Sequence, residues 1–153
     1  PYTNLLKVWG AMETIYRTGG TRQLGISNCY DVELLKRLYA DAEVKPAVVQ
    51  NRFYAESGYD IELRQWCDAQ GIVYQSFWSL TANPHILAHE AVVALAGKYG
   101  KTQAQIFYRY LSHKGIVPLI GSTSKTHMDE DLRIFEFELI GDEIGRIDSL
   151  LKT

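Results

Sequence analysis

Cysteine is scarce: Cys29 and Cys67 are the only two in 153 residues, in unlike contexts and without CxxC spacing. That pattern indicates neither a disulfide framework nor a thiolate zinc site, and both read as reduced structural thiols. Long apolar runs are missing too. No stretch approaches the ~20 consecutive apolar residues of a membrane-spanning helix, and the opening PYTNLLKVWG lacks the charge-then-apolar order of a secretion signal. The expected location is cytoplasmic. Dense basic runs are also absent: 16 Lys plus Arg against 18 Asp plus Glu give a net charge of −2, without the electrostatic footprint that nucleic acid or an anionic membrane selects. What is present is core material. Hydrophobic residues make up 46% of the chain, with ten Tyr, five Phe and three Trp, enough for a chain of this length to bury roughly two thirds of its unfolded surface. Intrinsic disorder is excluded, and one domain over residues 1–153 is expected. The first residue is Pro instead of Met, which reads as a chain that begins in mid-protein.

Periodicity predicts the elements. Leu5, Val8, Trp9, Met12 and Ile15 recur at three- and four-residue steps, so one helical stripe should run to about Arg17. Gly19 and Gly20 stop it before TRQLGIS, a short apolar strand. Asp31 then caps a helix carrying Val32, Leu35, Leu38 and Tyr39, and Pro46 opens the strand AVVQ. Leu63, Trp66 and Cys67 mark a third helix, which Gly71 ends before the strand IVYQSF. Gly100 breaks the next helical stretch into VVALAGKY and a segment from about Thr102 to His113, and Gly115 leads into the strand IVPLIGS. Helices from about Lys125 to Arg133 and from about Asp142 to Leu151 complete the chain. Short strands alternating with helices predict an α/β fold with four parallel strands and covering helices, half of a (β/α)8 TIM barrel. A Gly-Ile dipeptide at Gly25, Gly71 and Gly115 echoes a repeated β/α unit. A half-barrel leaves two open edges and one uncovered face, so a partner should close it.

Polar and aromatic residues fall at the carboxyl ends of these strands: Ser27 and Asn28, then Gln50, then Phe77 and Trp78, then Ser122, Thr123 and Ser124. In a parallel barrel those ends share the rim where sites are built. Each set has a bland reading as well. Ser-Asn starts turns, Gln50 can satisfy loop amides, large aromatics fill cores, and STSK is first of all a helix cap whose N–H groups would equally hold a phosphate. His85 and His89 share a helical face, but the HExxH order is missing, so no metal site is expected. GTRQLG lacks the phosphate-loop ending and the GxGxxG spacing.

The segments WGAME, GTRQLGISN, PAVVQNRFY, CDAQGIVYQSFWSL, VVALAGKYGKTQAQ, IVPLIGSTSKTHMDEDL and FEFEL together resemble the C-terminal half of the aldo-keto reductases, end to end. The resemblance implies an eight-stranded β/α barrel in the whole fold and nicotinamide-dependent reduction of aldehydes and ketones, with NADP(H) or NAD(H). By position it implies that Ser27, Asn28 and Gln50 bond the nicotinamide carboxamide, Phe77 stacks on the ring, and Trp78 and Leu80 follow the pyrophosphate. Gly121, Ser122, Thr123, His127, Glu130 and Asp131 would surround the adenosine and its phosphates.

Four departures from that pattern stand out. Phe77 replaces a frequent Tyr, so stacking survives without the hydroxyl. Gly121 replaces a frequent Lys, His127 a frequent Arg, and Asp131 a frequent Asn, which together weaken selection for a 2′-phosphate. The family's catalytic Asp, Tyr, Lys and His belong to the N-terminal half, which would precede Pro1. Tyr54, Tyr59 and Tyr74 have no Lys or His at a spacing that would make them acids near neutrality. The expectation is therefore a cofactor-binding half with no catalytic residue of its own, inactive alone, whose partner is an N-terminal half-barrel or a second copy. Its rivals are a truncated piece of a complete reductase and a non-catalytic assembly or regulatory module.

Overall fold

The structure, a computed structural model, describes residues 1–151; the last two residues of the expected 1–153 domain lie outside the described residues. In order, the elements are α1 (Tyr2–Arg17), β1 (Gly25–Ser27), α2 (Val32–Asp41), β2 (Val48–Arg52), α3 (Ile61–Gln70), β3 (Val73–Phe77) and α4 (Pro84–Leu87). They continue with α5 (Glu90–Tyr99), α6 (Gln103–His113), β4 (Ile116–Pro118), α7 (Lys125–Leu132) and α8 (Gly141–Leu150). The four strands are parallel and form one sheet in the order β1–β2–β3–β4, as the alternation of short strands and helices predicts. Among the described residues no helix is long and apolar enough to cross a membrane.

The chain divides into two units, one made of Pro1–Asn51 and Asp60–Gln75, the other of Arg52–Tyr59 and the residues from Ser76 on. In the first, Trp9 packs with Leu24, Leu38 and Ala42, and its indole N–H donates to the Val44 carbonyl at 3.0 Å. The predicted α1 stripe is only half right: Val8 and Ile15 are 58% and 52% exposed, and Glu13 is buried instead. The reason is a backbone need. Glu13 Oε1 accepts from the N–H groups of Glu43 and Val44, both at 2.9 Å, fixing the turn that leads into β2. Asp31 caps α2 as predicted, accepting from Glu33 N and Leu34 N. Gly25 is required sterically, since a Cβ there would stand 2.8 Å from the Val48 carbonyl oxygen, closer than the β1–β2 pairing allows.

The second unit is built on α6, whose Ile106, Phe107, Tyr110 and Leu111 are all buried. Thr102 opens α6 with a reciprocal capping box to Gln105. Phe107 lies 6.3 Å from Phe53 and stacks on Tyr110 at 5.9 Å. Two strands are shorter than the sequence predicts. TRQLGIS pairs only from Gly25 to Ser27, because Thr21 turns back to donate to the Gln23 carbonyl. IVPLIGS pairs only from Ile116 to Pro118; past the bond from Leu119 N to the Ser76 carbonyl the backbone leaves its one strand neighbour.

Candidate cofactor site

In the first unit the register sets Ser27 opposite Gln50 at the carboxyl ends of β1 and β2. Asn28, the next residue, adopts φ 56, a left-handed conformation that Asn tolerates better than most residues. Its N–H donates to the Gln50 carbonyl at 3.1 Å, and its Oδ1 accepts from the Tyr30 hydroxyl at 3.2 Å. The Gln50 side chain donates from Nε2 to Gln75 Oε1 at 3.0 Å. Ser27, Asn28 and Gln50 are therefore brought together as one group of donors and acceptors, which is what a primary carboxamide needs on its two ends.

Behind this group a buried polar network holds the strand ends still. Asn51 Oδ1 accepts from Cys29 N at 2.9 Å, while its Nδ2 donates to the Cys29 carbonyl at 2.7 Å and to Asp60 Oδ2 at 2.8 Å. The Tyr74 hydroxyl donates to the same carboxylate oxygen at 2.6 Å. Burial pushes the Cys29 thiol up to about 11 and Cys67 up to about 12, so both are inert at neutral pH.

In the second unit β3 ends in Phe77, and Trp78 takes φ 56 while remaining 59% exposed. A tryptophan in that region is rare, and two contacts hold it there. Its carbonyl accepts from Ala82 N at 2.9 Å, and its ring faces the Arg52 guanidinium at 4.8 Å, which also lies 4.5 Å from the Tyr54 ring. The loop beneath is fixed by buried Asn83, which donates to the carbonyls of Phe53 and Ser79 at 2.7 and 2.9 Å.

Two adjoining hollows open beside this loop. One, of about 610 Å³, is lined by Phe77, Trp78, Leu80, Tyr108 and Gly121 among others. The second, of about 560 Å³, shares Leu80, Tyr108 and Gly121 and adds Ser122, His127, Glu130 and Asp131. Both volumes fall in the range of small-molecule sites. Thr123 is exposed and lines neither hollow. Ser122 Oγ accepts from Ser124 N at 3.0 Å, and Ser124 Oγ caps α7 by accepting from His127 N at 3.3 Å. Burial raises the Asp131 carboxyl above its ordinary value, against the pull of His127 and with the push of Glu130. Burial, with Asp131 nearby, pushes the Tyr108 phenol up to about 12.

The tyrosines weighed as stand-in acids have other partners. Tyr74 is buried against Asp60, and burial and that charge push its phenol up. Contrary to the expectation that spacing gives it no His, Tyr59 has its hydroxyl 3.3 Å from His85 Nε2, but the residue is buried and burial raises its phenol. His89 caps α5 through Nδ1, which accepts from Ala91 N at 3.2 Å. The sequence reading missed Arg52 and its two rings. The alternation of VVQNR carries the signal, since Val48, Gln50 and Arg52 are the half-buried positions of β2 and Val49 and Asn51 the buried ones.

Comparison with known proteins finds relatives that match nearly the whole chain. The model of the "Aldo/keto reductase family" matches residues 1–83 and 75–152. The chain is similar to a glyoxal reductase of Bacillus subtilis, 35% identical over 144 residues that make up 94% of this chain and 51% of that protein. It is also similar to the 7-acetyl-epi-neemfruitin B aldo-keto reductase of Melia azedarach, 32% identical over 94% of this chain and 46% of that one. Among solved structures, MGS-M4, an aldo-keto reductase enzyme from a deep-sea metagenome library, superposes with a TM-score of 0.90 at 26% identity, over 98% of this chain and 55% of that one. The aldo-keto reductase of Bombyx mori superposes with a TM-score of 0.83 at 28% identity, over 94% and 46%. The chain thus spans about half the length of the curated relatives it matches.

Proposed function

We propose, since the chain belongs to the aldo/keto reductase family, that residues 1–153 are the C-terminal half-barrel domain of a carbonyl reductase and hold its nicotinamide dinucleotide. When bound, the reduced nicotinamide supplies a hydride. Ser27, Asn28 and Gln50 orient its carboxamide, and Phe77 covers one ring face so that the other is free for a carbonyl carbon. Trp78 and Leu80 follow the diphosphate, while Gly121, Ser122, Thr123, His127, Glu130 and Asp131 surround the adenosine end. The observation that carries this reading is the group of convergent amides at the ends of β1 and β2, with Ser27 and Gln50 in register and Gln50 held by Gln75. Those groups answer a carboxamide's donors and acceptor, and orienting the cofactor is the protein's task in such chemistry.

The carbonyl oxygen also needs a proton, and an effective acid has a pKa near the working pH. Tyr59, Tyr74 and Tyr108 are displaced upwards from an already high value. On this reading the acid comes from a partner, an N-terminal half-barrel, and the chain alone binds cofactor without turnover. The test is a titration of the purified chain with NADH and NADPH followed by tryptophan fluorescence, then addition of a reactive aldehyde. Saturable quenching without loss of cofactor absorbance above blank is expected; turnover by the chain alone refutes its lack of an acid, and no quenching refutes the binding site. A second reading, a half-barrel assembling with a copy of itself, draws on β1 and β4 each having one strand neighbour. Light scattering separates the two: a homodimer that binds neither cofactor favours assembly.

A further inference from the structure

We infer that the hollow beside α7 selects a dinucleotide whose adenosine ribose has a free 2′-hydroxyl, NAD(H), over one bearing a 2′-phosphate, NADP(H). This rests on the preceding reading and sharpens it. The charged side chains in the lining of the 560 Å³ hollow are Glu130 and Asp131, with His127 beside them and neither Lys nor Arg. A carboxylate there suits the ribose without a 2′-phosphate, because it accepts from a ribose hydroxyl or from the adenine amine, the same chemistry by which other dinucleotide folds read the 2′-hydroxyl. A phosphate monoester brings about −1.5 to −2 charge at pH 7 and would be set among two carboxylates that already repel one another.

Features that favour an anion are present but insufficient. The start of α7 offers N–H groups and the positive end of its dipole. However, the cap occupies the N–H of His127, and the Ser124 N–H already bonds Ser122. The same eight-residue helix carries Asp129, Glu130 and Asp131 against the single Lys125, which is exposed and outside the lining. Arg52 is the cation next to Trp78 and is not in the lining of this hollow.

The experiment compares dissociation constants of NADH and NADPH for the full chain at pH 7.5 and low salt, then for Glu130→Gln/Asp131→Asn and separately for Gly121→Lys. A Cβ at Gly121 meets nothing within 4 Å, so the lysine variant keeps the comparison open should the double variant not fold. NADH binding at least about tenfold tighter to the parent chain is expected, which is one electrostatic step of ordinary size for a partly screened pair. The double variant and the lysine variant should each move that ratio about three- to tenfold towards NADPH. NADPH binding as tightly as NADH overturns the inference while leaving the dinucleotide reading intact. Unchanged ratios in a folded variant also overturn it, and binding of neither cofactor overturns both.

Discussion

The two units handle polarity in opposite ways. In residues 1–51 with 60–75, the polar groups behind the strand ends bond one another: Asn51 alone ties Cys29 at both its N–H and its carbonyl and reaches Asp60, which Tyr74 also meets. In residues 52–59 and those from 76 on, buried Asn83 bonds through Nδ2 while its Oδ1 has no hydrogen-bond partner, and Glu130, Asp131 and His127 face open volume. The first unit therefore holds a few amides in a fixed geometry, and the second offers room and charge. A mutation in the first should act through shape and in the second through electrostatics.

The largest expected effect breaks the first kind of order. Asn51→Leu leaves the Cys29 amide and carbonyl and part of the Asp60 carboxylate buried without partners, and should cost about 3 kcal/mol, read as a fall in the urea midpoint. A loss below about 1 kcal/mol would mean that water replaces the side chain. Gln50→Ala should leave that midpoint nearly unchanged while weakening NADH binding roughly fivefold, the worth of about one hydrogen bond. The third test is pH. Burial holds His113 below its usual value, and its Nε2 accepts from Leu139 N at 3.2 Å, which needs the neutral ring. The unfolded chain then binds the proton more readily, so stability falls as pH drops below about 6.5. Thermal midpoints at pH 7.5 and 5.5 should differ by less in His113→Gln, which keeps an acceptor. The smallest effect is expected at Trp78. Replacing it by Gly relieves about 1 kcal/mol of left-handed strain and removes about 0.5–1 kcal/mol of stacking with Arg52, so net stability should hardly move, and a large loss would show that the ring carries more packing than its exposure suggests.

How far these features could be read from sequence depends on their range. Helix ends were legible because their signals are local: Asp31 caps α2, and Gly71 ends α3 at φ 72. The Gly-Ile echo joins unlike causes, since Gly25 is fixed by the approach of Val48 and Gly71 by its left-handed turn. The residues at the ends of β1 and β2 were legible through register, which strand alternation sets. Glu13, Asp60 and Arg52 were not, because each answers a partner thirty residues away, nine residues away or across a strand. Periodicity sorts residues by face, whereas a buried carboxylate is explained only by the backbone or hydroxyl it meets.

Hydrogen exchange on the chain with and without saturating NADH tests the central claim most directly. The account predicts slowed exchange in residues 27–30 and 48–52 and in residues 78–83 and 121–127, with little change in α1 and α8. Exchange unchanged at these strand ends, or protection confined to other surfaces, would contradict it.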